Sequence, residues 1–204
     1  MKKKITGLTA ILCAAGLISV LQTDTVLAEG GFSYEDVADR EFFFTSGVGS
    51  WSTVLTINAD GAFKGYYHDT DMGCRGEGYP NGTQYICNFS GQFTEPVQVN
   101  EYTYSAQIQS IQCQQEPETT EIVEGMQNIY SEPYGLNNAE NILFYTEGAP
   151  IAELPEEYRS WVGYFNLSNL QETALPFIGL YNEAEQQGFF SMIKDCLLYT
   201  SDAA

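Results

Sequence analysis

Trp51-Ser52-Thr53-Val54-Leu55-Thr56-Ile57-Asn58-Ala59-Asp60-Gly61-Ala62-Phe63-Lys64-Gly65-Tyr66-Tyr67-His68 is the stretch that decides the fold. Trp51, Thr53, Leu55 and Ile57 fall on one face of an extended chain. Ser52, Val54, Thr56 and Asn58 fall on the other, the period-two pattern of a half-buried strand. Asn58-Ala59-Asp60-Gly61 is turn chemistry, with Gly61 free to take a positive φ, and Phe63 to His68 returns as the second arm of a hairpin. Phe63, Gly65 and Tyr67 share one face of that arm, opposite Lys64, Tyr66 and His68.

The same period continues outward from the hairpin. After a Gly- and Asp-rich loop from Asp69 to Thr83, Tyr85, Cys87, Phe89, Gly91 and Phe93 alternate against Ile86, Asn88, Ser90 and Gln92. Tyr102, Tyr104, Ala106 and Ile108 then alternate against Thr103, Ser105, Gln107 and Gln109. Glu124-Gly125 joins Glu121–Val123 to Met126–Ser131 as a further hairpin, and Asn141–Thr146, Phe177–Tyr181 and Phe189–Ile193 read as strands. Pro155, Glu156 and Glu157, with Leu154, Tyr158, Trp161 and Val162 at helical spacing, predict one short helix near 155–162, its apolar stripe set against an open end or side of the sheet. About nine short strands and one helix predict an all-β antiparallel meander, barrel-like or sandwich, occupying 42–195 as a single domain. Residues 29–41, acidic and weakly patterned, read as a flexible N-terminal arm. A nucleotide-binding α/β sheet is excluded, because strands do not alternate with long helices.

The chain begins Met1-Lys2-Lys3-Lys4, runs apolar from Ile5 to Leu21 and reaches Val26-Leu27-Ala28, the pattern of a signal peptide cleaved after Ala28. Thr6, Gly7, Thr9, Gly16 and Ser19 interrupt a run at the short end of what spans a bilayer, so a leader is read here and no transmembrane anchor in the mature chain. The C-terminal stretch 196–204 resembles the translated read-through of a sequencing adapter and is set aside as non-native. Of 27 acidic and 8 basic side chains, removing Asp24, Asp202 and Lys2 to Lys4 leaves 25 against 5. So anionic a chain has no surface with which to neutralise phosphates, and nucleic acid is excluded as a partner. The expected location is extracellular or in the cell envelope. Hydrophobic residues make up 44% of the chain, enough for a core, which argues against disorder despite the charge.

Cys74, Cys87 and Cys113 remain between leader and tail. In an oxidising exterior one pair is expected to bridge. Cys74 with Cys87 is preferred, a loop of 13 positions stabilising by roughly 3 kcal/mol on the chain-entropy model, with Cys87–Cys113 as the competing pairing.

Three stretches are distinctive: Gly49-Ser50-Trp51 with the Asp60-Gly61 hairpin, Tyr79-Pro80-Asn81-Gly82-Thr83-Gln84-Tyr85-Ile86-Cys87-Asn88-Phe89-Ser90-Gly91, and Tyr130-Ser131-Glu132-Pro133-Tyr134-Gly135-Leu136. They resemble a family of secreted or surface all-β domains of Gram-positive gut bacteria. The resemblance covers most of 42–190 and implies a domain that stands alone or is appended to cell-surface proteins, with no activity attached. More remotely, Gly49-x-Trp51 opening a meander resembles the start of a lipocalin-like barrel, although the later Thr-Asp-Tyr signature is absent.

Candidate chemistry is sparse. Asp69-x-Asp71-x-Gly73 and Glu77 offer alternating oxygen ligands of the kind calcium takes, but Gly73 occupies the fifth position of a helix-loop-helix calcium pattern. A solvated acidic loop is the plainer reading of the same residues. His68, the single histidine, sits on the outer face at a strand end and reads as an ordinary strand residue. Many tyrosines share faces with the apolar core, and buried phenols need partners. A ring-lined cavity holding a small molecule or glycan is therefore expected, with Trp51, Tyr67, Tyr85, Tyr102 and Tyr104 as its lining. The leading expectation is a secreted, non-enzymatic binding or interaction module without a cofactor, for a small molecule, a glycan or a surface protein partner. The alternatives are a small glycan hydrolase using paired carboxylates among Asp69, Asp71, Glu77 and Glu132, and a calcium-dependent carbohydrate-binding module.

Overall fold

The alternating faces resolve into eleven strands and one short α-helix in a computed structural model, which describes residues 31–47 and 49–194. The leader read at 1–28 and the tail read at 196–204 lie outside the described residues. In chain order the strands are β1 (Arg40–Thr45), β2 (Trp51–Ile57), β3 (Ala62–Asp71), β4 (Thr83–Phe93), β5 (Val97–Asn100), β6 (Thr103–Cys113), β7 (Thr120–Val123), β8 (Met126–Tyr130), β9 (Asn141–Tyr145), β10 (Gly179–Asn182) and β11 (Gln187–Ile193). The helix α1 (Glu156–Trp161) lies between β9 and β10.

Eight strands close on themselves in the order β1-β2-β3-β4-β6-β9-β10-β11, and β11 pairs back onto β1. Every pairing around this circuit is antiparallel, so the molecule is an up-and-down barrel, the first of the two architectures the pattern allowed. Closure removes the unpaired edges that an open sheet would expose. The three other strands are appendages. β5 folds back on the start of β6, and the β7–β8 hairpin lies along the first half of β4, with β8 parallel to it.

An eight-stranded barrel is just wide enough for side chains to fill. Here Phe42, Phe44, Phe63, Phe89, Phe93, Phe144 and Phe189 do so, joined by Leu55, Ile57, Ile142 and Leu180, all essentially inaccessible. Two of the rings lie over the neighbouring strand. Gly65 pairs with Phe89 and Gly91 with Phe63, and a Cβ on Gly65 would lie 2.0 Å from the Phe89 ring. Each ring thus occupies the space a side chain on its partner strand would need.

At the end holding the start of β1 and the end of β4, Phe32, Tyr34 and Val37 enter the core, where Tyr34 donates a hydrogen bond to the Thr94 carbonyl at 2.6 Å. They come from the segment read from sequence as an arm. At the opposite end, the turn after β8 folds over the opening and buries Leu136. Thr53 Oγ1 donates to the Tyr134 carbonyl at 2.6 Å, and Asn182 Nδ2 to the Gly135 carbonyl at 3.1 Å.

A second apolar layer coats the outside of β9, β10 and β11 and is built from Ala149, Ile151, Leu154, Tyr158 and Leu175. The sequence sets α1 against an open end or a side of the sheet; it lies against the side, and Tyr158 is the reason it seats there. Its ring fits over Gly179 and Gly188 on adjacent strands, and its hydroxyl donates to the Phe189 carbonyl at 3.2 Å.

Candidate functional site

The strands alone leave one end of the barrel rich in partly exposed rings. Trp51 begins β2 and Tyr67 lies near the outer end of β3. Antiparallel pairing brings both to the rim, and the turn after β8 sets Tyr134 between them, 5.2 Å from Trp51 and 5.3 Å from Tyr67 between ring centroids. The last residue of α1, Trp161, completes the group, 6.1 Å from Trp51 and 4.7 Å edge-on to Phe44 beneath. Its indole Nε1 donates to the Gln186 carbonyl at 2.7 Å, which holds the ring over the β10–β11 turn while leaving it 38% exposed. Beside it an open groove of about 550 Å³ is lined by Glu156, Glu157, Ser160, Glu185 and Gln186. Beneath the rim Gln187 is buried and its Oε1 has no hydrogen-bond partner among the described residues.

The five rings expected to line one cavity are divided by the fold. Trp51 and Tyr67 meet at this rim. Tyr104 is buried at the other end, its ring 5.3 Å from Phe32. Tyr102 packs outside the barrel, in a groove of about 250 Å³ shared with Val99, Leu143, Tyr145 and Leu154. Tyr85, 39% exposed, pairs with Asp69 of β3 at the level of Trp51, on the part of β4 that β8 and not β6 flanks. Tyr134 and Trp161 were not among the expected residues. The first sits between Pro133 and Gly135, residues of turn chemistry, the second in a helical stripe that reads as packing, and only closure of the barrel brings them to Trp51.

Burial raises the pKa of the Tyr67 phenol, because a phenolate loses its hydration inside the protein. Tyr67 is pushed up to about 12, by desolvation first and by Asp69, Tyr134 and Tyr85 after it. Tyr67 is therefore neutral across the physiological range, and a hydrogen-bonding hydroxyl is what it offers.

The acidic loop is organised by its own backbone. Asp71 Oδ1 accepts hydrogen bonds from the Gly73 N–H at 2.8 Å and the Cys74 N–H at 3.1 Å. Asp69 lies within β3, paired with Trp51 and Tyr85, and Glu77 is exposed in the loop. Among the described residues no three His, Cys, Asp or Glu side chains gather as a metal site. His68 Nε2 lies 3.0 Å from Ser52 Oγ, a contact that follows from their register as cross-strand partners on the outer face.

The cysteines are arranged by β4. Thr83 Oγ1 donates to the Cys74 carbonyl at 3.0 Å, at the start of the strand. Cys87 is four residues farther along, about 13 Å at the rise of an extended chain. The expected Cys74–Cys87 bridge would have that length of strand to cross. Cys87 Sγ instead lies 3.5 Å from Cys113 Sγ, the pairing that competed with it. Desolvation, and then the hydrogen bond to Cys113, raise the Cys87 thiol far above its ordinary value. Comparison with family models, curated proteins and solved structures finds no match to the chain.

Proposed function

We propose that the protein is a secreted or cell-envelope binding module, non-enzymatic, that takes a glycan or a small molecule with sugar-like faces at the Trp51–Tyr67–Tyr134–Trp161 rim. The observation that carries this reading is the convergence of four partly exposed rings at one end of a barrel whose interior is already filled with phenylalanine. Rings needed only for the core have no reason to stop at the surface, whereas flat faces flanked by polar groups are what a ring-stacking ligand requires. Gln187 Oε1, unpartnered among the described residues, supplies an acceptor below the rim, and Glu156, Glu157 and Glu185 beside it accept hydrogen bonds from hydroxyls and repel anions. Export by the leader read at 1–28 places such a module where glycans are met.

Trp51 and Trp161 are the two tryptophans of the chain, and both belong to the rim, so intrinsic fluorescence reports on it directly. Titration with a panel of neutral oligosaccharides is expected to shift the emission for at least one member. Trp161→Ala is expected to weaken that binding tenfold or more, about 1.4 kcal/mol, with the melting temperature little changed. Emission that no oligosaccharide or neutral small molecule moves overturns the reading.

A further inference from the structure

We infer that Cys87 and Cys113 form a two-thiol modification site, and that outside the cell a disulfide oxidant converts them into a covalent clip across the β4–β6 seam. The seam is the place in the barrel where such a clip acts. β4 is served by two partners: its second half, Phe89–Phe93, pairs with β6, and its first half, Thr83–Ile86, pairs with β8. Cys87 sits at the fork between them. β6 ends at Cys113, opposite Phe89, and the chain then leaves the barrel. Beyond that residue the Gln114 N–H donates to the Asn88 carbonyl at 2.7 Å, the last hydrogen bond before the strands part. The two sulfur atoms lie 3.5 Å apart at this point, and no other cysteine of the described residues is placed near them.

Access is asymmetric. Cys87 is buried, with 2% of its surface exposed. Cys113 is half-buried and lines an open groove of about 510 Å³ with Asn88, Phe89, Gln112 and Gln114. The order of events follows. The Cys113 thiolate attacks one sulfur of the oxidant disulfide R–S–S–R, breaking that bond and releasing one thiolate. Cys87 then attacks the Cys113 sulfur of the mixed disulfide, releasing the second thiolate, and the two cysteine protons go to the two departing thiols. The protein loses two electrons and two protons, and the oxidant disulfide becomes two thiols. The bond closes a loop of 26 residues that contains β5 and most of β6. A loop of that length constrains the unfolded chain enough to raise the melting temperature of a protein this size by about 10 °C.

The test uses the full chain, incubated with oxidised glutathione, alkylated under denaturing conditions and cut by a glutamate-specific protease at Glu77, Glu101 and Glu118. Cys74, Cys87 and Cys113 then fall on separate peptides, 42–77, 78–101 and 102–118. The expected product is 78–101 joined to 102–118, 2 Da lighter than the two thiol peptides together. The thermal shift between oxidised and reduced protein is expected to survive Cys74→Ser and to vanish in Cys113→Ser. Recovery of 78–101 and 102–118 as free thiol peptides after oxidation, or either one joined to 42–77, overturns the inference.

Discussion

Gly65 and Gly91 show why single residues decide the interior of this barrel. A Cβ at Gly65 would lie 2.0 Å from the Phe89 ring, and one at Gly91 would lie 2.1 Å from the Ser110 carbonyl oxygen and 2.4 Å from the Phe63 ring. The glycines therefore make room for rings that cover bare backbone on the neighbouring strand. Gly65→Ala is expected to destabilise by about 1–3 kcal/mol, the usual cost of overpacking. Urea unfolding measures it, and in a double-mutant cycle with Phe89→Leu the two losses are expected to fall short of adding by at least about 0.5 kcal/mol. Losses that simply add would mean that the ring does not fill the glycine's space. The alternation placed Gly65 on the face of Phe63 and Tyr67, and the structure agrees. The ring above it comes from a different strand, so nothing near Gly65 in sequence announces it.

Among the elements, the β7–β8 hairpin has a turn legible in sequence and a location that is not. Glu124 and Gly125 connect paired Val123 and Met126, and both take positive φ, 51° and 78°. A two-residue turn with both centres left-handed is the type I′ geometry that matches strand twist, and it favours Asn or Gly at the first position. Glu124→Asn is expected to stabilise the protein by about 0.5 kcal/mol, read as a higher urea midpoint at unchanged slope. The backbone carbonyl of Glu124 would keep its hydrogen bond from Asn81 Nδ2. A lower midpoint would show that the Glu124 side chain contributes more than the turn does. Two strands escaped the sequence reading for opposite reasons. β1 carries Phe42 and Phe44 inward while Phe43 stacks outward on Phe190 at 5.6 Å, so apolar residues on both faces hide the period. β5 is exposed at all four residues and has no buried face to give a period at all.

For the molecule as a whole, the buried phenols make stability depend on alkaline pH. Tyr34, Tyr67, Tyr145 and Tyr158 all titrate above the ordinary value of 10, with desolvation the leading cause in each. The unfolded chain gives up these protons more readily than the folded one. Their contribution is therefore complete below about pH 10 and is lost as pH rises through the folded values, of which Tyr67 at about 12 is the lowest of the four. Circular dichroism followed from pH 8 to 12 is expected to hold steady and then collapse above about pH 10, with the buried tyrosinate absorbance near 295 nm rising together with the collapse. Full ionisation of every tyrosine near pH 10 with the fold intact would contradict the packing described for Tyr34 and Tyr158.

Period-two alternation, turn residues and the scarcity of helical spacing were sufficient for the antiparallel all-β class, for the faces of β2, β3 and β4 and for the single helix, because each is a local property of neighbouring side chains. Whether the sheet closes, which strand β4 shares with β8, and which rings share a rim were decided by the tertiary structure. Those are contacts between residues tens of positions apart, set by the circumference eight twisted strands can enclose and by the volume of the side chains that fill it. Trp51 and Trp161, 110 positions apart in sequence and 6.1 Å apart in space, meet only because β11 returns to β1.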